Sequence, residues 1–152
     1  MQQQRGLIAI LDALGAANYS GNEISQFQKS RELVLAQLKD KAIRFLGPIG
    51  ARRVTTFTFN DTVLIVYRTE KPATLRDVQG FGELLRRFVV KSLQQGILFR
   101  GAIAIGQFYV NESTNTVMGE AVSDAAAWYD RADWIGIIAT LCVRIHETVP
   151  CH

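Results

Sequence analysis

Hydrophobic residues in the first third of the chain follow two periods and predict one strand and one helix. Residues 7 to 12 begin with the apolar run LIAIL, which is typical of a strand buried on both faces. Ser20 and Glu23 then have the spacing of a capping box, and Gly47 followed by Pro48 predicts the end of a helix. The apolar residues between these signals share one helical face: Ile24, Phe27, Val34, Leu38, Ala42 and Phe45.

The middle of the chain predicts a hairpin and a second helix. Residues 53 to 59 and 62 to 68 are rich in β-branched and aromatic residues, and FNDT between them resembles a hairpin turn. Thr74 with Asp77 indicates a helix start, and Gly96 a helix end. The apolar side of this helix comprises Val78, Phe81, Leu85, Phe88 and Ser92.

The remaining elements are a second hairpin over residues 97 to 118, a helix over 119 to 131 and a short strand near 134 to 140. Because hairpins dominate, the sequence predicts an α+β fold whose mostly antiparallel sheet carries its helices on one face. We expect one domain over residues 7 to 149. The ending HETVPCH is abrupt, and it is compatible both with a complete domain and with one cut short at its C-terminus.

The strand at residues 97 to 106 predicts two unlike sheet faces, because side chains alternate along a strand. Large apolar residues on one side predict the core: Ile97, Phe99, Ile103 and Ile105. Arg100, Ala102 and Ala104 form the other side, which is small and carries one cation. A ligand or a second protomer could lie against this side. Alternatively, Arg100 pairs with a surface carboxylate.

Composition and charge narrow the range of partners. The chain has 152 residues, of which 48% are hydrophobic and 20% charged, as in ordinary globular proteins. Its net charge of +3 is far from the basic stripe of a nucleic-acid binder and suits a small anionic ligand. No apolar run has membrane-spanning length, and the polar residues 1 to 6 do not resemble a signal peptide. We therefore expect a cytoplasmic protein that binds neither nucleic acid nor membrane.

Two aspartates suggest a metal site. Asp12 ends the first strand and Asp61 lies in the FNDT turn, so the two carboxylates meet if that strand lies beside the hairpin. Two close carboxylates repel unless a cation lies between them, and Mg²⁺ prefers oxygen ligands. The alternatives are ordinary ones, since aspartates often hydrogen-bond their own turn or cap the next segment.

In this order the motifs resemble those of the class III nucleotidyl cyclases. The family has an aspartate in D-x-x-G after its first strand, here Asp12 to Gly15, and a second in the following hairpin turn, here Asp61. An arginine six residues before a glycine matches Arg100 in RGAIAIG. The helix motif G-x-x-V-N-x-A-A-R is in register with residues 119 to 127. The similarity covers residues 7 to 140 and implies the family's ferredoxin-like palm.

The resemblance implies a reaction that depends on two Mg²⁺ or Mn²⁺ ions. Asp12, Asp61 and the backbone carbonyl of Ala13 would bind the metals, which hold the triphosphate and polarise the ribose 3′ hydroxyl. That oxygen attacks the α-phosphorus, and pyrophosphate leaves. Arg100 would bind the β- and γ-phosphates, because its planar fork fits phosphate oxygens.

The family also implies a head-to-tail homodimer in which each site uses both chains. Phe57 then lies near the base in one site, while Asp61 holds metal in the other. Adenylyl cyclases have a lysine at the position of Phe57 and guanylyl cyclases a glutamate, and both read the purine edge. Thr116 occupies the second base-reading position. Phe57 as an ordinary core residue is the alternative.

The chain departs from the family pattern in the helix motif. Ser123 replaces the asparagine that orients the ribose, and Ala127 replaces the arginine that stabilises the transition state. Loss of an arginine from such a site can cost several kcal/mol. Arg131, one helical turn further along, could substitute for it, or could be a solvated surface arginine.

The FNDT turn and the segments RGAIAIGQFYV and GEAVSDAAAWYDRADWIGI are similar to a bacterial branch that includes the pyrimidine cyclases of anti-phage Pycsar signalling. This resemblance implies UTP or CTP as substrate and a cyclic nucleotide second messenger in defence. The alternatives are a purine cyclase, a degenerate domain that binds nucleotide or only dimerises, and a polymerase-like palm. The last lacks a GGDEF-like turn.

Overall fold

A computed structural model describes residues 2 to 131 and 134 to 140, and six strands in this part of the chain form one mixed sheet. The elements are β1 (Gln3–Ala13), α1 (Gly21–Ala51), β2 (Val54–Phe59), β3 (Thr62–Thr69), α2 (Leu75–Gln94), β4 (Phe99–Asn111), β5 (Thr116–Met118), α3 (Glu120–Trp128) and β6 (Gly136–Ala139). The strand order is β2-β3-β1-β4-β5, and β6 pairs with β4 in parallel. The predicted α+β class and the mostly antiparallel sheet are confirmed.

One face of the sheet is covered by α1 and α2 and forms the larger core. Alternation along β1 directs Leu7, Ala9 and Leu11 to this face. From the helices, Phe81 and Phe88 pack against them, and Phe88 contacts Phe99 of β4 with ring centroids 5.3 Å apart. We call this cluster the first core.

The opposite face carries α3, which corrects the prediction that all helices lie on one face. Ala121 and Ala125 of α3 pack on Ala104 and Phe108 of β4, and Ile8, Ile10, Phe57, Val66 and Val110 complete this second core. A methyl group at Gly106 would lie 3.4 Å from the Ala121 side chain, which is ordinary van der Waals contact, so α3 packs directly over this part of β4. The small side chains that predicted an open face instead admit a helix, and Ala102 and Ala104 are fully buried within the chain.

Helix boundaries agree with the predicted signals, with two differences. At Gly47 the backbone takes φ 74°, but a further helical turn continues through Pro48 to Ala51. Proline lacks an N–H and fits the first turn of such a segment. The helix predicted over residues 119 to 131 is α3 followed by a short 3₁₀ turn, Tyr129–Arg131.

The first strand begins earlier than predicted, and the end of the predicted domain lies outside the described residues. β1 begins four residues before the predicted residue 7, because Gln3 to Gly6 extend its pairing with β4. Residues 141 to 149 of the predicted domain lie outside the described residues. Within the described part, no helix combines the length and the apolarity needed to cross a bilayer.

Candidate active site

The register of the central strands brings Asp12 and Arg100 together. Asp12 of β1 lies opposite Arg100 of β4, and both side chains project on the face that carries α3. Arg100 Nη2 and Nε both lie 3.4 Å from Asp12 Oδ2, so the pair is loose. Arg100 Nη1 also donates to the backbone carbonyl of Asp130, 3.3 Å away.

Asp61 reaches the same end of the sheet through the turn between β2 and β3. Asp12 also lies opposite Thr62 of β3, which is the residue after Asp61. The N–H of Ala13 donates to the Asp61 carbonyl at 3.2 Å, which ties the turn to the end of β1. Asn60 has φ 54°, a left-handed conformation that asparagine tolerates in hairpin turns. The sequence prediction that the two aspartates share one sheet end agrees with this placement.

The electrostatics of the pair favour a bound cation. Burial raises the pKa of the Asp12 carboxyl, the negative charge of Asp61 raises it further, and the Arg100 guanidinium opposes both only in part. A divalent cation would offset the repulsion between the two carboxylates.

The number of ligands also fits Mg²⁺, which usually keeps several waters and binds one or two carboxylates plus substrate phosphates. Within residues 2 to 131 and 134 to 140, no cluster of three or more His, Cys, Asp or Glu side chains is arranged to hold a metal. With two carboxylates, such a site would take its remaining ligands from backbone carbonyls and water, and from phosphate oxygens when a substrate is bound.

Three further predicted residues lie on exposed surface. Gly15 follows β1 in a left-handed conformation, φ 79°, with open space where a side chain would be. Ser123 is exposed on α3, and only its backbone N–H is bonded, to the Gly119 carbonyl at 3.0 Å. Arg131 is exposed and lies 4.8 Å from the centre of the Trp128 ring.

Of the two predicted base-contacting residues, Thr116 lies far from Asp12 within one chain, whereas Phe57 lies on β2, two strands away from Asp12 and on the same sheet face. Thr116 pairs with Asn111 at the far end of β4, about 35 Å from Arg100 because a strand rises about 3.3 Å per residue. Phe57 is 7% exposed and lies in the second core.

Sequence reasoning missed two groups at this end of the sheet. The Asp130 carbonyl could not be foreseen, since the turn after α3 places it. Arg31 donates from Nη1 to the Asn60 carbonyl at 2.6 Å, next to Asp61. Arg31 left a detectable signal, because it is a charged residue between Phe27 and Val34 on the mostly apolar face of α1.

Several solved structures share this fold. The adenylyl cyclase CyaB from P. aeruginosa is 14% identical at a TM-score of 0.63, with 100% of this chain and 86% of that chain covered. The non-canonical dimeric guanylyl cyclase domain of RhoGC from the aquatic fungus Blastocladiella emersonii is 13% identical at 0.61, covering 90% and 80%. The guanylyl cyclase Cya2 is 18% identical at 0.54, covering 91% and 77%. No model of a known protein family and no curated protein matches the chain.

Proposed function

We propose that this chain is a metal-dependent nucleotidyl cyclase that converts a nucleoside triphosphate, with UTP or CTP favoured, to its 3′,5′-cyclic monophosphate and pyrophosphate. The observation that supports it most is the meeting of Asp12, Asp61 and Arg100 at one end of the sheet. The similarity to the folds of adenylyl and guanylyl cyclases adds support.

Some residues of the site would bind the cations, and Arg100 would bind the phosphates. Asp12, Asp61 and the Ala13 carbonyl would hold two Mg²⁺ or Mn²⁺ ions. When bound, the cations neutralise phosphate charge and favour the 3′ alkoxide as nucleophile. Arg100, which holds Asp12 only at 3.4 Å, can release it and bind phosphate oxygens in a bidentate manner. The bond from the 3′ oxygen to the α-phosphorus would form as the bond from the α-phosphorus to the leaving pyrophosphate breaks, and the 3′ hydroxyl proton would pass to solvent.

A head-to-tail homodimer belongs to this proposal. The separation of about 35 Å between Thr116 and Arg100 prevents one chain from presenting both to one nucleotide, as β4 rises about 3.3 Å per residue. Phe59, next to the turn of Asp61, is 77% exposed, the highest value among the large apolar side chains of the described residues, and it suits a partner contact.

The pyrimidine preference depends on the side chain at position 57. Phenylalanine offers a ring face to a base and no hydrogen bond to a purine edge, which favours a pyrimidine. Its burial in the second core favours the alternative, a packing role. The defence role depends on the sequence resemblance alone. Protection of cells from phage by the wild-type gene, lost with Asp12→Ala, would support it, and equal protection by both would contradict it.

The direct test is to incubate the purified protein with Mn²⁺ and each of ATP, GTP, CTP and UTP, and to identify products by mass spectrometry. Cyclic UMP or CMP would support the whole proposal, whereas a cyclic purine would retain the enzyme and overturn the base. A dinucleotide product would favour the polymerase-like alternative.

A binding domain without turnover is the second candidate. It is favoured by Ser123 and Ala127, which are exposed on α3 and lack the functional groups that the family pattern places there. This candidate predicts that nucleotides bind in the presence of Mn²⁺ and that all four remain uncyclised.

A further inference from the structure

Arg31 is a buried arginine whose position is not explained by a carboxylate partner. It is 9% exposed, and arginine is seldom buried to this degree unless it is paired. None of the ion pairs in the described part of the chain includes it. Its guanidinium lies 5.3 Å from the centre of the Phe27 ring, and its buried Nε has no hydrogen-bond partner.

Among the described residues, the Arg31 side chain makes one hydrogen bond, and it ends on the turn that carries Asp61. Nη1 lies 2.6 Å from the Asn60 carbonyl, and a bond from a charged donor is stronger than one from a neutral donor. The next carbonyl, that of Asp61, accepts the N–H of Ala13. Two consecutive peptide groups of the turn are therefore fixed, one by α1 and one by β1.

These two bonds fix the backbone from which the Asp61 side chain projects. A hairpin turn with a left-handed residue at Asn60 can pivot about its strand ends, which would change the separation of Asp61 from Asp12. Holding both carbonyls removes that freedom. Burying an arginine without a carboxylate is unfavourable for folding, so stability alone does not account for it.

We propose that Arg31 is a positioning residue for the divalent-cation site, which it serves by holding the Asn60–Asp61 turn in place for Asp61 to act with Asp12. This inference rests on the proposed function, because it assumes that the two aspartates bind a cation. Arg31 touches neither cation nor substrate in this role. Partners of metal ligands in other proteins typically change metal affinity about 10- to 100-fold when they are removed.

The test measures Mn²⁺ affinity by the loss of the free-ion signal in electron paramagnetic resonance, together with the urea midpoint of unfolding. Arg31→Met keeps the bulk of the side chain against Phe27 and removes its donors. Arg44→Met is the matched control, since Arg44 also lies on α1 and stacks on a ring, that of Phe45, but is exposed.

We expect Arg31→Met to bind Mn²⁺ about 10- to 100-fold more weakly without a lower urea midpoint, and Arg31→Lys to recover part of the affinity. Arg44→Met should bind like the wild type. Unchanged affinity in Arg31→Met, or a loss that Arg44→Met shares, would overturn the inference alone. If Arg31→Met does not fold, Arg31→Gln gives the same comparison.

Failure of the proposed function has a separate signature. In that case the wild type binds Mn²⁺ no better than Asp12→Ala does, which overturns the cation site and this inference together. A variant in which affinity and the urea midpoint fall together would identify Arg31 as a structural residue and would also overturn it.

Discussion

Asp12 and Asp77 are two partly buried aspartates whose surroundings differ. Asp77, in the first turn of α2, accepts from the Thr74 N–H and hydroxyl, each at 2.8 Å, and from the Tyr67 hydroxyl at 2.9 Å. Asp12, at the end of β1, has Arg100 at 3.4 Å and Asp61 nearby. The Asp77 carboxylate therefore has several short hydrogen bonds within the fold, whereas the Asp12 carboxylate is incompletely bonded.

The pKa values follow this difference. Burial alone would raise the pKa of Asp77, but the hydrogen bonds from Thr74 and Tyr67 outweigh it and lower the pKa. Burial and the bond to Asp77 in turn raise the pKa of Tyr67 to about 12. Burial and Asp61 raise the pKa of Asp12. The opposite pKa shifts thus distinguish Asp77, which stabilises the fold, from Asp12, whose carboxylate is free to bind a cation.

The largest expected effect is on turnover. Asp12→Ala should lower the cyclase rate at least about a hundredfold, because even indirect partners of metal ligands cost up to that factor. Asp77→Ala should retain the wild-type rate per folded molecule, which measured product formation with Mn²⁺ would show. Equal losses in the two variants would remove the distinction between them.

The second effect is on stability in the presence of cation. At a Mn²⁺ concentration ten times its dissociation constant, the wild type and Asp77→Ala should each gain about 1.4 kcal/mol in free energy of unfolding. Asp12→Ala should gain none, since a cation stabilises only a fold that binds it. Urea unfolding with and without Mn²⁺ measures this, and a gain in Asp12→Ala would place the cation elsewhere.

The third effect concerns the capping box of α2. Thr74→Ala removes a side-chain acceptor from the Asp77 N–H and a donor to its carboxylate, and should lower the free energy of unfolding by about 1 kcal/mol. Product formation should not change. The matched substitution Ser113→Ala, in the exposed loop before β5, should have little effect on either quantity.

The smallest effect is on pH dependence, and its sign differs between the two aspartates. Because the pKa of Asp77 is lowered in the fold, its stabilisation is present above its ordinary pKa of 3.8 and is lost as pH falls through the lowered value. Because the pKa of Asp12 is raised, its contribution is greatest below 3.8 and is lost as pH rises through the folded value.

Unfolding measured without divalent cations should therefore show two trends. The wild type has a higher free energy of unfolding than Asp77→Asn, and this difference decreases in acid. Asp12→Asn becomes more stable relative to the wild type as the pH rises. Parallel curves for the two variants would contradict this difference.

Local signals in the sequence predicted the elements well, because they act over a few residues. Thr74 and Asp77 form the predicted capping box, and Asn60 and Asp61 lie in the predicted turn. The alternation on β4 was also correct, with Phe99 in the first core and Ala104 on the opposite face. The roles of the predicted site residues remain predictions.

The sequence by itself determined the strands, the helices and the chemical types available to a site, since periodicity, caps and turns are local properties of the chain. Only the tertiary structure decided that α3 covers the face of small residues, that Phe57 is buried there, and that Arg31 reaches the turn of Asp61. These contacts depend on strand register and helix packing between residues far apart in the chain. Their free energy comes from the assembled sheet, and no short stretch of sequence encodes it.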